Sequence, residues 1–122
     1  VAVGERAEGV VWAVVADDGQ VLLVARAGGW GLPSGTPEPA ETAGATAERA
    51  VYELTGYLVD GSQPLRPADD GLTVVVCPLL TESPSEGGSL APEEIRWVPF
   101  AEADGAGLPG AARDYLRGHT SA

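Results

Sequence analysis

Two apolar runs, residues 10–15 and 21–26, flank the polar stretch Ala16-Asp17-Asp18-Gly19-Gln20. Both runs are rich in β-branched residues, and Asp-Gly between such runs signals a tight hairpin, so two joined strands are expected. Residues 28–39 are dense in glycine and proline and read as a loop. The period changes at Thr42. Ala43, Ala47, Val51, Leu54 and Leu58 then recur at three- and four-residue intervals, which places them on one side of a helix over residues 42–54. Thr42 is suited to cap its start and Gly56 its end, while Gly44 in the first turn weakens it. Residues 57–60 read as extended, and "GLTVVVCPLL" (71–80) reads as a buried strand. Residues 81–94 are the most loop-like part of the chain. A short strand is expected at "IRWVPF" (95–100). A closing helix follows at "LPGAARDYLRG" (108–118), with Leu108, Ala112, Tyr115 and Leu116 toward the core. With no internal repeat and no domain boundary, the alternation predicts one α/β domain over residues 1–122. Its mixed β-sheet is sandwiched between helices.

The bulk composition narrows the partners. A chain of 122 residues with 44% hydrophobic content suits one folded core. All seven basic residues are Arg, and the net charge is −11. No basic stripe is present to displace counterions from nucleic acid, and no polybasic patch to meet anionic lipid. The acidity reads first as solubility, and second as a pocket that could gather divalent cations. Cys77 stands alone, so an internal disulfide and a multi-cysteine metal site are ruled out, and its apolar setting marks it as an inert core residue. Nothing reads as a signal peptide or a membrane span, so a cytoplasmic protein is expected. The chain begins at Val1, which leaves the true start open.

The loop and helix share one further pattern. From Gly35 come five residues, Glu41, seven residues, Arg49, then Val51, Glu53 and Gly56. This resembles the Nudix hydrolase signature: Gly, five residues, Glu, seven residues, Arg-Glu-aliphatic-x-Glu-Glu-x-Gly-aliphatic. The preceding "VLLVARAGGWGLPSG" and the later "EEIRWVPFAEAD" also resemble the family's strand and loop before the box and its Trp-containing strand. The likeness covers nearly the whole chain, with a MutT-like box over residues 35–57. It implies the Nudix fold. It also implies a link between Glu41 and Arg49 that ties the loop to the helix, a geometry suited to a bidentate guanidinium–carboxylate contact. Gly35 and Gly56 supply backbone freedom at either end.

The resemblance also implies magnesium bound by helix carboxylates, at positions that here hold Ala50, Glu53 and Leu54. Residues one turn apart share a face, so these three would converge on one cluster. Two of the three are apolar. A unit charge about 4 Å away is worth roughly 4 kcal/mol at an effective dielectric near 20, so the change is large. Remaining candidates are Glu53 as catalytic and metal-binding residue, the Ser34 carbonyl in place of a usual glycine, and Glu94 (with Glu93) before the Trp97 strand. Glu38 lies in the loop, and Glu48 beside Arg49 reads as a solvated charge. Glu53 with one loop carboxylate would hold a single weakly bound Mg2+ or Mn2+. Glu53 also stands at i+4 from Arg49 and could equally decorate the helix.

For a ligand, Arg26, Trp30 and Leu54 are the candidate contacts. Arg26 falls near the family's substrate cleft, where a guanidinium can meet phosphate. Leu54 either joins the apolar side of the helix or covers the vacated metal position. Trp12, Trp30 and Trp97 read mainly as core, with one free to line a pocket. His119, the only histidine, lies in the tail and argues against histidine-based catalysis. Leu32 stands where a nucleophile elbow around Ser34 needs glycine. Three readings stay open: a repurposed Nudix scaffold that binds a small molecule or runs metal-independent chemistry, a magnesium-dependent hydrolase of a nucleoside diphosphate linked to another group, and a protein-interaction module. The residues favour the first. The expected partner is a small molecule, such as a nucleoside-diphosphate derivative, with no nucleic acid and no membrane, in a monomer or homodimer.

Overall fold

The computed structural model describes residues 10–26, 29–65, 72–81, 88–103 and 108–118. His119 and much of the expected loops at 66–71 and 82–87 lie outside them. In chain order the elements are β1 (Val11–Val14), β2 (Ala16–Asp17), β3 (Gln20–Arg26), β4 (Gly29–Gly31), β5 (Ser34–Gly35), α1 (Ala43–Thr55), β6 (Gln63–Pro64), β7 (Thr73–Val76), β8 (Ile95–Pro99), α2 (Phe100–Ala103) and α3 (Gly110–Gly118). A 3-10 turn at Pro92–Glu94 leads into β8. One sheet has the order β5-β1-β7-β6, with β1 and β7 parallel and the other pairs antiparallel. In the other, β3 pairs antiparallel with β2, β4 and β8.

The Asp-Gly turn is present: Asp18 and Gly19 have φ of 53° and 77°, the paired positive values a two-residue hairpin takes. The hairpin is much shorter than the apolar pattern suggests. Ala16 and Asp17 pair with β3, the Val15 carbonyl accepts one more bond from the Leu22 amide, and β1 departs to the other sheet and runs between β5 and β7. The reason lies in the burial of β1 on both faces. Val11 and Ala13 pack beneath α1 with Leu22, Ala47, Val51 and Val75. On the opposite face, Val14 packs with Leu23, Leu32, Val76, Ala112 and Leu116. A strand apolar on both sides belongs in the middle of a covered sheet. With α1 on one face and α2 and α3 on the other, the chain has the mixed α/β sandwich that its pattern predicts.

Helix α1 begins where expected. The Thr42 side chain accepts a hydrogen bond from the Ala45 amide, and Gly56 ends the helix at φ 82°. The apolar side stops sooner than the periodicity implies. Leu58 is 48% exposed, because the left-handed turn at Gly56 breaks the helical register before it. Gly44 also has a different meaning from the one its propensity suggests. A Cβ at position 44 would collide with the Gly61 carbonyl oxygen, and one at position 61 with that of Gly44. The Gly61 amide in turn donates to the Glu48 carboxylate at 2.7 Å, so Glu48 anchors this contact rather than standing free in solvent. Gly44→Ala would gain up to about 1 kcal/mol in an isolated helix. In this fold it is expected to lose about 1–3 kcal/mol by overpacking. Urea unfolding midpoints check the sign, and a stabilised variant would mean that the loop yields without cost.

Candidate functional site

The loop after β5 is bound to α1 through one carboxylate. Arg49 Nε donates to Glu41 Oε2 at 2.9 Å, and its Nη2 donates to Oε1 at 2.8 Å. Oε1 also accepts from the Glu38 amide at 2.9 Å and the Thr46 hydroxyl at 2.8 Å. Nη2 reaches the Thr36 carbonyl as well, at 2.8 Å. Thr46 is fully buried and was not a candidate from the spacing, because the signature leaves its position free. Arg49, and after it the Glu38 amide and the Thr46 hydroxyl, hold the Glu41 carboxyl at about 2, against an ordinary 4.5. The same contact pushes the Arg49 guanidinium further up. A depressed carboxyl contributes stability in full above its unfolded value and loses that contribution as pH falls through its folded value. Glu41→Gln is therefore expected to flatten the fall in melting temperature between about pH 4.5 and 2. Scanning fluorimetry across that range checks it, and an unchanged slope would remove Glu41 from the acid response.

Behind this joint, Gly35 and Ala50 are pressed together. A Cβ on Gly35 would lie 2.9 Å from that of Ala50, and Ala50 is only 3% exposed. Glu53 points outward, 59% exposed, with one oxygen 3.3 Å from Arg49 Nη1. Ser34 is in β5, opposite Trp12 of β1. Glu94 sits in the 3-10 turn, where its carboxylate accepts from the Ala91 amide at 2.8 Å. A magnesium cluster needs several anionic oxygens facing one point. Among the described residues, no three Asp, Glu, His or Cys side chains gather in that way. Of the helix positions that would supply them, one is a buried alanine, one is a leucine and one is paired with arginine. The described residues do not fit a multi-metal site.

They form an open cleft instead. Val24, Ala25 and Arg26 of β3, Leu54 of α1 and Leu90 line a cavity of about 430 Å³. Two of the three ligand candidates, Arg26 and Leu54, thus meet, and Trp30 does not. Trp30 pairs with Ala25 across the β3–β4 ladder, and Arg96 lies over its ring at 4.4 Å. Arg26 Nη1 donates to the Leu32 carbonyl at 3.1 Å, and the guanidinium lies 5.3 Å from the centroid of the Trp12 ring. Its stem fills the space over Gly31, where a Cβ would come within 2.8 Å of Arg26 Cδ. Leu90 arrives by a backbone strap. The amides of Ser89 and Leu90 donate to the Glu53 and Leu54 carbonyls at 2.8 and 3.0 Å. Gly88 passes so close that a Cβ there would lie 2.6 Å from the carbonyl carbon of Thr55. Helix ends leave such carbonyls without intrahelical partners, so the strap closes α1 while delivering Leu90. Local pattern gave no sign of Leu90, because its position depends on backbone pairing across more than thirty residues. Elsewhere, Cys77 is fully buried, and burial, followed by the Glu48 and Asp60 charges, pushes its thiol up to about 12.

The arrangement of box, sandwich and cleft defines a class. A family model described as "NUDIX domain" matches residues 5–117, and the chain belongs to the Nudix family. No curated protein sequence matches it significantly. Among solved structures, it is similar to a UDP-X diphosphatase at 20% identity and TM-score 0.64, over 99% of this chain and 68% of that one. An ADP-ribose pyrophosphatase from Streptococcus suis 89-1591 is 18% identical, with TM-score 0.61 over 88% of this chain and 83% of that one. A MutT NUDIX hydrolase from Burkholderia pseudomallei is 21% identical, with TM-score 0.58 over 88% and 94%. At these identities the likeness establishes the fold. Among the described residues, no helix is long and apolar enough to cross a membrane.

Proposed function

We propose that this Nudix protein carries a degenerate box and binds a small anionic molecule in the cleft between β3 and the C-terminal end of α1. No magnesium or manganese cluster on the helix takes part. The observation that carries this reading is the pair Ala50 and Leu54. One is sealed against Gly35, and the other turns an apolar side chain into the cleft beside Arg26. A diphosphate in water resists attack without a cation to neutralise it and to activate the nucleophile, and of the helix positions the family uses for that work only Glu53 keeps a carboxylate. Phosphorylated nucleoside derivatives are the first compounds to test, since similar folds carry names such as UDP-X diphosphatase and ADP-ribose pyrophosphatase. A second reading, metal-dependent hydrolysis of a nucleoside diphosphate linked to another group, draws its support from the outward-facing Glu53.

The test is a hydrolysis and binding panel of nucleoside triphosphates, ADP-ribose, dinucleoside polyphosphates and sugar nucleotides. Each is assayed with magnesium, with manganese and with chelator. No turnover above background under any of the three conditions, with any binding unchanged by chelator, is the expected outcome. Turnover that requires metal and disappears in Glu53→Gln would establish the second reading in its place.

A further inference from the structure

We propose that the cleft takes an organic anion with a single acidic head group, a carboxylate or a phosphate monoester, on an apolar body. The proposal rests on the metal-free reading above and narrows its ligand. Three features of the cleft point the same way.

Among the described residues, Arg26 is the only charged one in the lining and has no carboxylate partner. In a chain of net charge −11, an unpaired guanidinium is a place where an anion can settle. The group is also held in position. Leu32 fixes one of its five N–H donors, Trp12 lies beneath it, and the absence of a Cβ at Gly31 lets its stem lie flat. Donors that remain free on such a fixed fork suit the two oxygens of a carboxylate or phosphate.

The rest of the described lining is Val24, Ala25, Leu54 and Leu90. It offers an acidic group no second cation, and no carboxylate cluster through which a metal could bridge. One guanidinium fork reaches one head group. The second phosphoryl group of a diphosphate would lie beside apolar walls with no donor, which is unfavourable without a metal. An aliphatic or aromatic body covers the same walls at a gain, and a cavity of about 430 Å³ lies within the range of small-molecule sites.

Calorimetric titration in chelator at neutral pH tests this, with hexanoate, hexyl phosphate, hexanol, inorganic phosphate and ADP-ribose as probes. Either hexanoate or hexyl phosphate is expected to bind at least tenfold more tightly than both hexanol and inorganic phosphate. Arg26→Gln should remove that advantage and leave hexanol binding unchanged. Arg26 is exposed, so the variant is expected to melt near the parent temperature, which is measured alongside. If neither acidic amphiphile exceeds hexanol tenfold, or if Arg26→Gln leaves their affinity intact, the proposal is wrong. If ADP-ribose outbinds both in chelator, the ligand class fails while the metal-free cleft stands. ADP-ribose binding or turnover that appears only on adding magnesium or manganese would bring down the underlying reading as well.

Discussion

Arg49→Leu lowers the melting temperature by about 10 °C or more, while Glu53→Gln changes it by only a degree or two; both are expected values on the scale of a small domain. The two pairs share one guanidinium but differ in setting. Glu41 meets Arg49 through two hydrogen bonds in a half-covered joint, and Arg49 also holds the Thr36 carbonyl. Removing Arg49 strands a carboxylate whose other partners are only the Glu38 amide of the loop and the Thr46 hydroxyl at the start of α1. It also frees the loop that carries β5. A partner lost from a covered pair costs far more than one lost from an exposed pair. Glu53 is 59% exposed and touches Arg49 at 3.3 Å, so solvent takes over most of what that contact supplies. Arg49→Lys separates charge from fork geometry. It should recover part of the loss, since an ammonium keeps the charge but cannot make both hydrogen bonds. Equal shifts for Arg49→Leu and Glu53→Gln would show that the joint does not hold the fold together.

The same joint marks how far the sequence could be read. Gly35, Glu41, Arg49 and Gly56 stand at fixed spacing, and a contact set by spacing within one loop and one helix is legible from local pattern. Helix α1, the Asp18-Gly19 turn and α3 are legible for a similar reason, since capping, turn chemistry and period act within a few residues. What could not be read depends on partners far along the chain. The departure of β1 from its hairpin follows from its pairing with β7, some sixty residues later, and a run apolar on both faces does not state its neighbours. The short strands β4 and β5 lie within a stretch whose glycines and prolines signal only a loop. Gly44 reads as a weak helix residue until the Gly61 carbonyl lies against it. Leu58 keeps the helical spacing after the helix has ended. In the candidate site, the positions of Ala50 and Leu54 were legible as apolar replacements. Their surroundings were not, because Gly35 closes over one and the Gly88–Leu90 strap brings a second leucine to the other through backbone hydrogen bonds that no side-chain pattern encodes.

Leu54→Glu returns a carboxylate to the family position and separates the two readings of this cleft. The expected result is at least a tenfold loss of affinity for an acidic ligand in chelator, about 1.4 kcal/mol. No diphosphate turnover should appear with magnesium or manganese. A carboxylate at 54 faces the cleft that Arg26 enters, so it competes for the guanidinium and repels the head group at once. At an effective dielectric near 20, two unit charges about 4 Å apart interact by roughly 4 kcal/mol, so a tenfold loss is a modest demand. Turnover stays absent because the helix set remains incomplete: Ala50 is packed on Gly35 and contributes no oxygen, and Glu53 points outward and is paired with Arg49. Leu54→Gln is the control, nearly the same size as glutamate and uncharged. It should weaken binding less, by the apolar contact alone. If glutamine and glutamate weaken binding equally, charge at position 54 is not what sets the ligand. If Leu54→Glu acquires metal-dependent turnover, a single leucine is all that separates this chain from hydrolysis, and the closure of Ala50 against Gly35 is no barrier to it.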